Sequence, residues 1–220
     1  MMIEVLANLF SHSRNTNMRS NLFAATLTIA LGVVSPIVGA IGFPAVAAVQ
    51  TVDNRIGEAD RLRQQGKEQF QRGQVEAALQ SWQQALKLYR ETKNRQGEGK
   101  VIHNLGAVFG SRGNYQQAID YFEQSLAIAR ELGNRDHERL ALNYIGLILE
   151  RQHKLDLAIG SYRQSINVSE SIRKDNRSLS QDRQNSYTKT VAETYHHLAK
   201  LLVYEGKVLE AVKIVGLIED

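Results

Sequence analysis

The chain has 220 residues, with 27 Lys and Arg against 23 Asp and Glu, so its formal charge is only +4, and it contains no cysteine. The missing cysteine excludes disulfides, thiolate catalysis and cysteine-ligated zinc. The near-balance of charge argues against nucleic acid as a partner.

Residues 22–52 carry no charge and follow Arg14 and Arg19. Leu22 to Val34 is apolar apart from small and hydroxyl residues, Ser35-Pro36 interrupts it, and Ala45-Val46-Ala47 satisfies the small-x-small rule before Ala48. This is the order of a secretory signal, so residues 1–47 are expected to be a signal peptide and 48–58 a linker. Met18 offers a second start, since Met18-Arg19-Ser20-Asn21 makes a compact basic opening. The alternative is an uncleaved membrane anchor, which is long enough but broken by Pro36 and Pro44. Either way the positive charge stays inside, and the rest is expected outside the cytoplasm, in the periplasm or beyond. That leaves any membrane attachment to this segment alone. Removing it takes away Arg14, Arg19 and Glu4 and leaves 25 basic and 22 acidic residues, of alternating sign.

From Ala59 the chain repeats every 40 residues. Gly66, Gly106 and Gly146 form one column, and Ala78, Ala118 and Ala158 a second. Trp82, Phe122 and Tyr162 form a third, and Leu86, Leu126 and Ile166 a fourth. Leu62 and Gly66 are four apart, as are Ala78 and Trp82, so each pair shares a helix face. Gly73 and Gly113 fall between the two apolar stripes, where a turn calls for positive φ. Each unit therefore reads as helix, turn, helix, with the glycine and alanine marking a close crossing and the aromatic filling the space beside it. The predicted units are 59–98, 99–138, 139–185 and a degenerate 186–220. In the last, Ala199 takes the glycine column after an insertion of about 13 polar residues between Ser169 and Ser186, read as an overlong helix and a loop. Such a loop is a solvated extension first and a partner-binding flap second.

These columns resemble the tetratricopeptide repeat family, best in Ile102, Leu105, Gly106, Phe109, Ala118 and Phe122. Gln65 and Gln69 depart from the family pattern, as do Ser125 and Ser165, which stand where it has alanine. The resemblance implies an all-α, right-handed superhelical solenoid that binds proteins or peptides without catalysis. The period exceeds the common length of about 34 residues, and the six additional residues are expected to lengthen the second helix and its link. The stretches Tyr162–Asp175, Leu198–Leu202 and Gly206–Ala211 further resemble repeats of cyanobacterial proteins that carry a C-terminal CHAT domain, a caspase-like peptidase module. That module is absent here, so the resemblance implies at most a sensor arm.

The sequence holds no phosphate-cradling glycine loop, no strand pattern and no nucleophile elbow. His196 and His197 are adjacent and project about 100° apart on a helix, so they do not make a metal pair. No cofactor or metal is expected. By resemblance, the first helices of successive units line a concave groove. Its residues would be Arg63, His103, Asn143 and His196 three positions before the glycine column, Lys67, Ala107, Leu147 and Lys200 one after it, and Phe70, Gly110, Glu150 and Val203 four after it. With Lys100 this makes a mildly positive trough suited to an acidic or carboxylate-bearing peptide. Finally, residues 208–218 are apolar on almost every side, which calls for a cover by self-association or by a further domain.

Overall fold

The computed structural model describes residues 44–178 and 180–219, and the repeats lie in the unit Val49–Asp220. Among the described residues every regular element is a helix. They are α1 (Pro44–Gln71), α2 (Val75–Glu91), α3 (Arg95–Ser111), α4 (Tyr115–Glu131), α5 (Arg135–Arg151), α6 (Leu155–Asp175), α7 (Gln181–Tyr204) and α8 (Val208–Glu219). No described helix is long and apolar enough to cross a membrane. Apart from residues 44–47, which begin α1, the stretch expected to be a signal peptide lies outside the described residues. Residues 48–58, expected as a linker, are helical within α1.

One turn recurs. Its central residue is left-handed: Gly73, Lys93, Gly113, Gly133, His153 and Gly206 have φ between 55° and 79°. The amide of the next residue reaches back five positions, as in Gln74 to Gln69 O (2.8 Å), Asn94 to Tyr89 O (2.8 Å) and Lys154 to Leu149 O (2.9 Å). This is the Schellman closure, which satisfies carbonyls at the end of one helix. Asn94 and Asn134 then cap the next helix by accepting from the amides of Gly97 (2.8 Å) and His137 (3.1 Å).

Helices α2, α3, α4 and α5 are each 17 residues long, separated by three-residue turns. The six additional residues are therefore shared between both helices of a unit, not placed in the second. The closure explains this, since both halves of the unit use the same turn. The insertion is also mostly helical. Helix α6 has 21 residues and α7 has 24, and only residues 176–180 separate them. A long loop is not formed, and α7 starts at Gln181 rather than in the mid-180s.

The helices cross where the glycine column lies. A Cβ on Gly66 would fall 2.5 Å from the Trp82 ring, one on Gly106 3.0 Å from Phe122, and one on Gly146 2.8 Å from Tyr162. The Trp82 indole also donates to Arg63 O (3.0 Å), so the knob is tied to the helix it packs on. Ser125 and Ser165, which depart from the family's alanine, are buried and donate to Gly99 O (3.2 Å) and Arg139 O (2.9 Å). Each hydroxyl thus pins a second helix to the first helix of its own unit. Gln69 has a comparable role, accepting from Ser81 Oγ (2.8 Å).

An ion-pair ladder follows the same period. Glu98 is buried and held by Arg90 (2.9 Å) and Arg95 (2.6 Å), and Arg95 also reaches Glu131 (2.6 Å). Burial alone would raise the Glu98 carboxyl, but the two guanidiniums outweigh it and hold it below its usual value. One unit on, Glu138 is held by Arg130 (3.0 Å) and Arg135 (2.6 Å). At the front, Arg55 pairs with Glu91. Arg55 stands 40 residues before Arg95, so the repeat register reaches further forward than Ala59.

Candidate binding surface

The first helices of the units are α1, α3, α5 and α7, and the nine residues expected to line their common face divide sharply by environment. Lys67, His196 and Lys200 are exposed, and Lys100 is half-buried. These four project polar groups that solvent or a ligand can reach. Arg63 is half-buried and already engaged, 3.3 Å from the Tyr89 hydroxyl and 3.4 Å from Asp60.

The other four are drawn inward. Phe70 packs against Trp82, with ring centroids 5.9 Å apart, and belongs to the core of the first unit. The Asn143 amide oxygen accepts from Thr194 Oγ1 on α7 (2.9 Å), joining two neighbouring first helices. His103 is only 9% exposed and sits edge-on to Phe122 (5.1 Å) and Tyr144 (4.8 Å), with its Nδ1 unpartnered. Burial, aided by the nearby His137, pushes its pKa down to about 4, so it is neutral near neutrality. It is a packing residue, not a donor to a ligand. The cause is tertiary: α5 lays Tyr144 over the position that looks open on α3 alone.

Glu150 is the centre of a network that sequence reasoning missed. Its carboxylate accepts from the Tyr162 hydroxyl (2.9 Å), lies 2.9 Å from His197 Nδ1 and is 3.7 Å from Lys200 Nζ. Burial and the bond to Glu150 raise the Tyr162 phenol far above its usual value. Glu150 is thus held internally, whereas Glu193, the other acid expected to interrupt the trough, stays exposed, 3.9 Å from His197 Nε2. The histidine in this network is His197, not His196.

His197 and Tyr144 obey one rule. Each lies two positions before the glycine column and stacks on the aromatic knob of the preceding unit. Tyr144 meets Phe122 at 5.1 Å and 24°, and His197 meets Tyr162 at 5.5 Å and 20°. The column was visible in the sequence, but only the packing shows that it is an inter-unit contact. Among the described residues no group of three His, Cys, Asp or Glu could hold a metal ion.

Comparison with known proteins now identifies the architecture. The family model described as tetratricopeptide repeat matches residues 61–131 and 98–171. The chain belongs to the tetratricopeptide repeat family. No curated protein matches the chain. Among solved structures it is similar to aspartyl phosphate phosphatase F from Bacillus subtilis, with 17% identity and a TM-score of 0.52, over 75% of this chain and 49% of that one. It thus spans about half the length of that protein, and at this identity the likeness shows the fold alone. Lower likeness is found to YrrB, described as a TPR protein with an unusual peptide-binding site, with 17% identity and a TM-score of 0.43, over 77% of this chain and 91% of that one. The putative kinesin light chain repeats of Podosopora anserina give 14% identity and a TM-score of 0.44, over 73% of this chain and 92% of that one.

Proposed function

We propose that this chain is an exported tetratricopeptide repeat scaffold that binds an acidic or carboxylate-bearing protein segment along α1, α3, α5 and α7. The observation that supports the reading is the sorting of side chains on these helices. Glu150 and Asn143 are satisfied internally, while Lys67 and Lys200 are exposed and Lys100 is half-buried, Lys200 reaching Glu150 only at 3.7 Å. Glu193 on α7 remains an exposed acid, but with Glu150 held internally the lysines of this surface outnumber it, which favours an anionic ligand through charge-assisted hydrogen bonds. Half-buried Ala107 and Leu147 supply apolar contact between them. The scaffold acts by holding its partner, with no catalytic step. The export part of the proposal rests on residues 1–47, with their basic start, uncharged span and small residues before Ala48.

The test is fluorescence anisotropy with a labelled glutamate-rich peptide and a lysine-rich counterpart of equal length. The glutamate peptide is expected to bind saturably, and Lys67→Glu with Lys200→Glu to weaken it by at least about tenfold while helicity is unchanged. Equal binding of both peptides, or unchanged affinity in the double variant, overturns the acidic preference. N-terminal sequencing of the protein recovered outside the cytoplasm is expected to read Ala48 first. Recovery only from the cytoplasm with Met1 or Met18 intact overturns export.

A further inference from the structure

The fourth unit repeats the second at an offset of 93 residues. Ala199 stands where Gly106 does, Val203 where Gly110 does, Ala211 where Ala118 does and Val212 where Ile119 does. In unit two this corner is filled. A Cβ on Gly110 would lie 2.7 Å from Ile148 Cδ1 and 3.6 Å from the Ala118 methyl, so Ile148 of α5 is seated between α3 and α4. Ile119 is 8% exposed as a result, and Ile159, its counterpart on α6, is 5% exposed. In unit four the same corner is an open cleft of about 400 Å³ lined by Ala199, Val203, Val208, Ala211, Val212 and Val215. Val212 is 65% exposed there. Among the described residues, the surface that joins successive units thus continues onto α7 and α8 as an open cleft.

The occupant must match that interface. In α3 the residues that meet the preceding unit include Val101, Leu105 and Val108, and α5 repeats them as Ala141, Ile145 and Ile148, all buried. In α1 the same positions are Arg61, Gln65 and Glu68, all exposed. A second copy stacked head to tail would bury these three polar groups against valines without partners, which is unfavourable. At the cleft itself, Lys200 lines the opening and Lys213 is exposed beside Val212. We propose that the α7–α8 cleft is a docking site for an amphipathic helix of a partner protein. That helix carries aliphatic residues at the spacing of Ala141, Ile145 and Ile148, with acidic residues at its edges, and lies where the first helix of a further unit would lie.

The probe is a fluorescent peptide copying α5, residues 135–151, which covers the equivalent corner of unit two. Titrated with the full chain, it is expected to bind saturably. Val212→Glu in the protein, or Ile148→Glu in the peptide, is expected to weaken binding by at least about tenfold. Because Val212 is exposed, its substitution leaves the helical signal in circular dichroism unchanged. Lys67→Glu is expected to leave this affinity unaltered, which separates the cleft from the acidic-peptide surface whatever the fate of that reading. No binding, or equal binding to Val212→Glu, overturns the proposal. So does self-association of the wild type that Val212→Glu abolishes, since a second copy would then be the occupant.

Discussion

His103 makes the stability of this solenoid depend on pH in a way that can be isolated. Its ring is wedged between Phe122 and Tyr144, and burial lowers its pKa from 6.5 to about 4. Between these two values the unfolded chain holds a proton at this site that the folded chain does not. Stability therefore falls as pH drops through that window and is fully present above it. At about 1.4 kcal/mol per unit, the ceiling is about 3 kcal/mol, of which about 2 kcal/mol is lost by a pH of about 5. That pH lies above the ordinary carboxylate range, so the acid-sensitive pairs of Glu98 and Glu131, whose carboxyls are held low, still stand. His137 is also pushed down, chiefly by burial, and adds a loss of the same sign. The assay is urea unfolding at a pH of about 7.5 and about 5, for the wild type and for His103→Gln. Glutamine is close in size and does not titrate, so its own cost appears at both pH values and cancels in the difference. The wild type is expected to lose about 2 kcal/mol more than the variant between the two conditions. Equal losses would refute the assignment of a buried, neutral imidazole.

The glycine column and the turns yield two further expectations. Gly146→Ala should destabilise by about 1–3 kcal/mol, because its methyl meets the Tyr162 ring, whereas Gly160→Ala should stabilise by about 0.5–1 kcal/mol, since nothing lies within 4 Å of a Cβ there. Thermal unfolding of both variants gives the comparison, and a stabilised Gly146→Ala would contradict the close crossing. Lys93 and His153 hold the left-handed turn position at φ of 55° and 58°, where most of the other turns have glycine. Lys93→Gly and His153→Gly should each stabilise by about 1 kcal/mol, measured by denaturant midpoint, and a destabilised pair would show that the side chains contribute more than the strain removes.

Much of the fold was legible because the repeat is a one-dimensional code. Gly66, Ala78 and Trp82 each report a local fact: a backbone that needs close approach, a small partner, a large filler. Such facts survive from unit to unit because the crossing geometry does. The turns were legible for the same reason at Gly73 and Gly113, and illegible at Lys93 and His153, whose side chains hide the left-handed conformation that the Schellman closure imposes. The overlong helix α6 was legible in the insertion, but the polar remainder resembled a loop where α7 already begins at Gln181. Straight-chain polar residues also form exposed helix, and in α6 and α7 they do.

The binding face shows the limit more plainly. Sequence alone determined the helix-turn-helix unit, the register of its columns and the absence of cysteine chemistry, while resemblance to the family supplied the first-helix positions from which a groove could be built. Only the tertiary structure decided which of those positions are open. His103 and Asn143 share an offset with exposed His196, and Phe70 and Glu150 share one with exposed Val203, yet a facing helix covers or engages each of these four. The reason is physical: periodicity records the direction in which a side chain leaves its own helix, whereas exposure, protonation and pairing depend on what the next helix brings to meet it.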